Sequence, residues 1–317
     1  MKRILIALMA FALVFVSGCG GGEVSTLSSP YFGGSQGIIA SFEPVGGTSQ
    51  ASTTNAVFEG EVFPVDIQVL NKGEYTLEAG ELIASIKGIN LAEFGSALNG
   101  EVSNPMIIER VSEFLPEGGT EFMNFGEAAM TNVPGIFYEA NFFAEIDYHY
   151  QTHIALPQVC FKEDLRDERI CDATQPALPV FSSGAPIIAT TASQKPAGQG
   201  RVMVEIEIAN VGTGKARADS VTDVDPRYDE VTFQLIQKAG DQVTWECTSR
   251  GSGAIAPGQP ATARLSQGAV YIRCRSSPLP DKALYTSQMD LILDYWYQDI
   301  IGQTITINSD VDSFDNS

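Results

Sequence analysis

The chain has 317 residues, 44% of them apolar, and a formal net charge of −20. So much apolar side chain can fill real cores, which excludes global disorder, and the length suits about two domains. The acidic balance excludes the positive footprint that nucleic acid requires, and equally an electrostatic grip on anionic lipid.

Met1-Lys2-Arg3 opens the chain with two positive charges, and Ile4 to Val16 follows without a charged side chain. Val16-Ser17-Gly18-Cys19 closes the run. A basic start, a short apolar stretch and small residues at its end make a secretory signal over residues 1–18, too short for a comfortable membrane span. The ending resembles a lipobox, the signature of prokaryotic lipoproteins. That resemblance implies a lipid on Cys19, which becomes the first residue of the mature chain, with the protein held to a membrane outside the cytoplasm. Loss of Lys2 and Arg3 from the 19 basic residues leaves 17 against 39 acidic ones, a net charge of −22. Residues 19–35, rich in Gly and Ser, read as a flexible tether with a reach of roughly 20–25 Å.

Beyond the tether the dominant period is two. Val65, Ile67 and Val69 alternate with polar residues, as do Val202, Val204, Ile206 and Ile208. Tyr285, Met289, Leu291, Leu293, Tyr295 and Tyr297 share one parity. Such alternation puts one face of a strand on a core and the other in water. Turn signals punctuate the runs at Asn71-Lys72-Gly73, Pro116–Gly119, Gly212-Thr213-Gly214 and Pro257-Gly258. The best helical stretches are short, near Asn90–Phe94 and Pro105–Phe114. Many short strands with frequent turns predict an all-β chain of antiparallel sheet, folded as sandwiches or barrels.

The chain also echoes itself. Val65–Gly73 is matched by Val204–Gly212, Leu115–Gly118 by Ile255–Gly258, and Ile146–Gln151 by Leu293–Gln298, at offsets of 139, 140 and 147. Two copies of one module follow. In each, a strand ends in Asn-x-Gly, a turn expected to tolerate positive φ. In each, a late aromatic strand turns Tyr148 and Tyr150, or Tyr295 and Tyr297, toward the core. This combination resembles the Ig-like β-sandwich modules of the CARDB type found on prokaryotic, notably archaeal, surface proteins. The resemblance implies two tandem Ig-like antiparallel β-sandwich domains, at 36–175 and 187–308. A Pro-rich linker (176–186) separates them and an acidic tail (309–317) ends the chain. Each copy is longer than such a module, and a Cys160–Cys171 loop is extra.

Cys160, Cys171, Cys247 and Cys274 remain when Cys19 is set aside, an even number suited to an oxidising compartment. Of three pairings, Cys160–Cys171 and Cys247–Cys274 keep each bridge within one copy. A zinc site competes weakly, since neither spacing is CxxC and the chain has only two histidines. Those two, His149 and His153, share a strand face but lie roughly 13 Å apart at about 3.3 Å per residue, too far to chelate one ion. No GxSxG or HExxH context accompanies them, and nothing asks for a cofactor. Asp219, Asp223, Asp225, Asp229 and Glu230 crowd one loop where oxygen ligands could hold Ca²⁺, but the EF-hand's central Gly and terminal Glu are missing and Arg227 intrudes, so a solvated loop is the simpler reading. Trp245 reads as a core residue beside the Cys247 bridge. Trp296 has the outward parity of Asp294 and Gln298, so it could stack on a sugar or seat a protein partner, unless a neighbouring segment covers it.

The expected function is that of a lipid-anchored surface protein. It would make structural or adhesive contact with a protein or glycan and carry out no chemistry. An accessory lipoprotein of an envelope transport or assembly complex is the alternative, and a hydrolase with an unfamiliar site comes third.

Overall fold

The computed structural model describes residues 27–45, 55–167, 169–198, 200–219, 223–236, 243–250, 252–255 and 258–309. The signal at 1–18, Cys19, the first part of the tether and nearly all of the acidic tail lie outside them. The described residues from Tyr31 onward form one compact unit. It is all-β, with strands paired antiparallel except for one short parallel contact.

The first repeat contributes β1 (Ile38–Phe42), β2 (Ala56–Phe58), β3 (Phe63–Asn71), β4 (Leu82–Lys87), β5 (Glu101–Ser103), β6 (Thr120–Ala128), β7 (Phe137–Lys162) and the two-residue β8 (Phe181–Ser182). The second contributes β9 (Ile187–Pro196), β10 (Val202–Asn210), β11 (Lys215–Arg217), β12 (Tyr228–Ile236), β13 (Trp245–Ser249), β14 (Ser252–Ile255), β15 (Ala261–Ser266), β16 (Ala269–Ser276) and β17 (Leu284–Asn308). In the first repeat β1-β3-β6 form one sheet, and β5-β4-β7 run in another. In the second, β9-β10-β16-β13-β14 are joined to β15-β12-β17 at the Ser266–Ala269 corner and by the Arg264 amide, which donates to the Arg250 carbonyl just past β13. Alternation decides the faces, as in β3, where Phe63, Val65, Ile67 and Val69 are buried and the residues between them are not. Phe63 of β3 meets Phe142 of β7 edge to face at 6.4 Å, so the two sheets of this repeat close on one core.

The two repeats meet through β7 and β17, which are 26 and 25 residues long and pair antiparallel from Leu284–Lys162 to Asn308–Phe137. The repeat offset of 147 makes Ile146–Gln151 the counterpart of Leu293–Gln298. With that offset, His149 faces its own counterpart Trp296, while Tyr148 faces Tyr297 and Tyr150 faces Tyr295. The pairing therefore has an internal pseudo-two-fold centre at the His149–Trp296 pair.

Three sequence expectations change. Gly73 and Gly212 are not in the positive-φ region. They are glycine because a Cβ there would collide with the Tyr150 or Tyr297 hydroxyl. Asn90–Phe94 yields only a four-residue 3-10 turn, Leu91–Phe94, and residues 105–114 form no helix, since Ile108 is bridged to Leu77 instead. The Pro-Gly echo does not mark equivalent strands. Pro116–Gly119 leads into β6, which joins β3, whereas Gly258 leads toward β15, which joins β12.

Candidate functional site

The pseudo-two-fold seam gathers the ionisable and aromatic side chains. On its buried face lie Tyr148, Tyr150, Tyr295 and Tyr297, each at most 2% exposed. A buried phenol needs a hydrogen-bond partner, and each has one. Tyr150 donates to Asn71 Oδ1 at 3.2 Å, and its counterpart Tyr297 donates to Asn210 Oδ1 at 3.1 Å. The same asparagine oxygens accept from the Gly73 and Gly212 amides, and the asparagine amides donate to the Tyr75 and Gly214 carbonyls. Each Asn-x-Gly turn is thus a socket for the tyrosine of a late strand. Tyr295 shares a 3.0 Å bond with Thr152 Oγ1, and Tyr148 accepts from the Ile38 amide.

On the outer face, His149 sits between two carboxylates. Nδ1 is 3.1 Å from Glu81 Oε1 and 3.1 Å from the Tyr75 hydroxyl, and Nε2 is 3.2 Å from Asp294 Oδ2. Burial alone lowers the histidine's pKa, but Asp294 and Glu81 outweigh it and hold the ring above its ordinary 6.5. Asp294, which also accepts from Gln151 at 2.6 Å, is held low by His149 and Gln151 against its own burial. The Tyr75 hydroxyl is pushed up to about 12, first by burial and then by Glu81 and Asp294. Asp147, the counterpart of Asp294, pairs with Arg217 instead. Burial raises its pKa against that pairing, and its Oδ1 has no hydrogen-bond partner among the described residues.

His153 lies on the same strand without a carboxylate clamp. Burial and the charge of Arg110 lower its pKa. The two histidines therefore act on stability in opposite directions. The raised pKa of His149 contributes stability that is present below the unfolded value and lost as pH rises through the folded one. The lowered pKa of His153 contributes stability that is present above the unfolded value and lost as pH falls through the folded one. In an NMR titration of the ring protons the midpoint of His149 is expected above 6.5 and that of His153 below it. A reversed order would show that the Glu81–His149–Asp294 clamp does not form in solution.

Trp296 has the outward parity its sequence predicts, but the molecule uses its indole. The Arg217 guanidinium covers its ring at 4.9 Å and its N–H donates to Asp219 Oδ1 at 3.0 Å. The acidic loop is divided among separate partners. Asp225 pairs with Arg227, Glu230 with Arg264, and the buried Asp229 accepts from the Ala216 amide and Asn210. Among the described residues no three His, Cys, Asp or Glu side chains are grouped to hold a metal ion. Cys160 is bonded to Cys171 and Cys247 to Cys274, with Trp245 buried next to the second bridge and packed on Phe161 at 5.8 Å. Two disulfides suggest an extracytoplasmic location. Among the described residues no helix is long and apolar enough to cross a membrane.

A groove lies beside the seam. One part, of about 310 Å³, is lined by Ile38, Ala40, Ile146, Tyr148, Tyr297 and Asp299, among others. A second part, of about 520 Å³, continues past Ala40 to Phe42, Ile301 and Gln303. This feature was not legible in the sequence, because it lies between β1 and β17, more than two hundred residues apart.

No protein-family model matches the chain, and no curated protein matches it. Among solved structures, the secreted serine protease VesC from Vibrio cholerae aligns with 78% of this chain and 48% of its own, at 8% identity and a TM-score of 0.17. The chain thus spans about half the length of that protease. The collagen adhesin (CNA) from S. aureus aligns over 87% of this chain and 93% of its own, at 8% identity and 0.17. The CupB6 tip adhesin from Pseudomonas aeruginosa aligns over 86% and 99%, at 10% identity and 0.17. Likeness at that level carries no argument about function.

Proposed function

We propose that this is a lipid-anchored extracytoplasmic protein that binds a protein or glycan partner and performs no chemistry. The observation that carries the reading is the division of the cysteines. Four are consumed in two bridges, and the fifth, Cys19, ends an apolar leader in a Val-Ser-Gly-Cys context. A net charge of −22 on the mature chain gives no attraction to anionic lipid, so the attachment falls to the lipid on Cys19. The Gly-rich tether after it gives the folded unit its distance from the bilayer.

Intact mass of the protein extracted from membranes tests this directly. The expected species starts at Cys19, carries acyl chains and gains four hydrogens on reduction. An unlipidated start, or four free thiols, would overturn the anchored reading.

A further inference from the structure

Every sheet edge in a stable protein has to be paired, covered or blunted, because its free N–H and C=O groups otherwise seek a strand. The first edge of the second repeat is covered by the segment that leads into it, from Gln175 to Ser182. On β9 the outer groups of Ala189 are taken by Ser182 Oγ, which donates to the carbonyl and accepts from the amide. The carbonyl of Ala192 accepts from the Leu178 amide at 2.8 Å, and Gln194 exchanges two backbone bonds with Gln175. Leu178 is buried by this docking. The segment leading into the second repeat is thus laid along β9 as an added strand.

The first repeat has the same edge without the cover. Register through β3 and β10 makes Ala40 the counterpart of Ala189 and Phe42 the counterpart of Ala192. Gly37 and Glu43 bond toward β3, so the even-numbered residues between them turn their backbone groups away from it. The Ile38 amide is met by the Tyr148 hydroxyl. The amides and carbonyls of Ala40 and Phe42 have no partner among the described residues, and they open onto the groove. Across it, β17 is paired with β11 through Gln298 and with β2 from Thr306. Between them, among the described residues, the backbone of 299–305 has no strand partner on the edge away from β7, and the Gln303 side chain reaches over to donate to the Glu43 carbonyl at 3.3 Å. The floor is apolar, with Ile146 and Ile301, and Asp299 lines one end.

We propose that this groove takes one extended segment of a partner polypeptide, paired to Ala40 and Phe42 as an added strand. Its alternate side chains are apolar and sit on Ile146 and Ile301, and a Lys or Arg lies opposite Asp299. The five residues of β1 offer about 17 Å of edge, enough for such a strand to bond at both open residues. The basic residue follows from charge complementarity with Asp299 and with the acidic chain as a whole. This deepens the binding-protein reading and rests on it for the existence of a partner. It does not depend on lipid at Cys19.

The test is site-resolved amide hydrogen exchange on the purified full chain. The probe is a ten-residue peptide that alternates Thr and Val and has a Lys at each end. In the free protein, Ala40 and Phe42 are expected to exchange fast, and Ile39 and Ser41, bonded to β3, slowly. Saturating peptide is expected to slow Ala40 and Phe42 by at least about tenfold. Ile301→Lys, which leaves the backbone intact, and Ala40→Pro, which removes the central donor, are each expected to weaken the peptide about tenfold. Slow exchange at Ala40 and Phe42 in the free protein would overturn the proposal, because the edge would already be covered. So would protection that grows with protein concentration, since a second copy would then be the occupant. Peptide binding unchanged in both variants would place the peptide elsewhere, with the same result. A failed mass test at Cys19 leaves this experiment standing, and failure here leaves the mass result standing.

Discussion

Asn71→Ala is expected to lower stability by about 3–4 kcal/mol, read as a fall in the urea midpoint at unchanged slope. Asn71 is fully buried, and its side chain makes four hydrogen bonds. It accepts from the Gly73 amide and the Tyr150 hydroxyl, both at 3.2 Å. It donates to the carbonyls of Tyr75 at 2.7 Å and Ile108 at 3.3 Å. Truncation leaves these groups in a dry interior with their partner gone, and each orphan costs more than a hydrogen bond contributes on average. Tyr150→Phe removes only one of the four and is expected to cost about 1 kcal/mol. The pair should be non-additive, because the two side chains share a bond. A loss below about 1 kcal/mol for Asn71→Ala would mean that the socket is not what holds the Asn-x-Gly turn.

The second large effect belongs to the Cys247–Cys274 bridge. These residues face each other on β13 and β16, and Cys274 is wholly buried. The bridge closes a sequence separation of 27, and loop closure of that length stabilises by roughly 3.5 kcal/mol. Cys247→Ala with Cys274→Ala keeps an apolar interior and removes the crosslink, so most of that value should appear as lost stability. The Cys160–Cys171 bridge closes only 11 residues, and its removal should cost roughly 3 kcal/mol. A Cys247/Cys274 double variant within about 1 kcal/mol of the parent would show that the sheet contacts alone hold β13 to β16.

Some of this architecture is legible residue by residue. The period-two runs at Val65–Val69, Val202–Ile208 and Met289–Tyr297 name buried faces correctly, because side chains alternate across any strand whatever it pairs with. The Asn-x-Gly echo marks two equivalent turns, although the glycine is required by a neighbour's hydroxyl and not by φ. The Pro-Gly echo misleads because a corner is a local event that does not say which strand follows it. Trp296 shows the same limit. Its parity places it outward, but only the fold brings Arg217 onto its ring and Asp219 to its N–H.

The sequence by itself determined an all-β chain, the faces its strands bury, the position of the two equivalent turns and a cysteine count suited to two bridges. These are short-range properties, set by side-chain alternation and turn chemistry within a few residues. Only the tertiary structure decided that β7 and β17 pair about a pseudo-two-fold centre, that His149 is held between Glu81 and Asp294, and that β9 is covered by the segment leading into it while Ala40 and Phe42 of β1 have no such cover among the described residues. The seam and the clamp depend on which strand edges meet across 68 to 171 residues of chain, and the cover on β9 on a segment that folds back within 7 to 19 residues. Local patterning leaves those choices undetermined, because every strand offers the same backbone groups on its two edges.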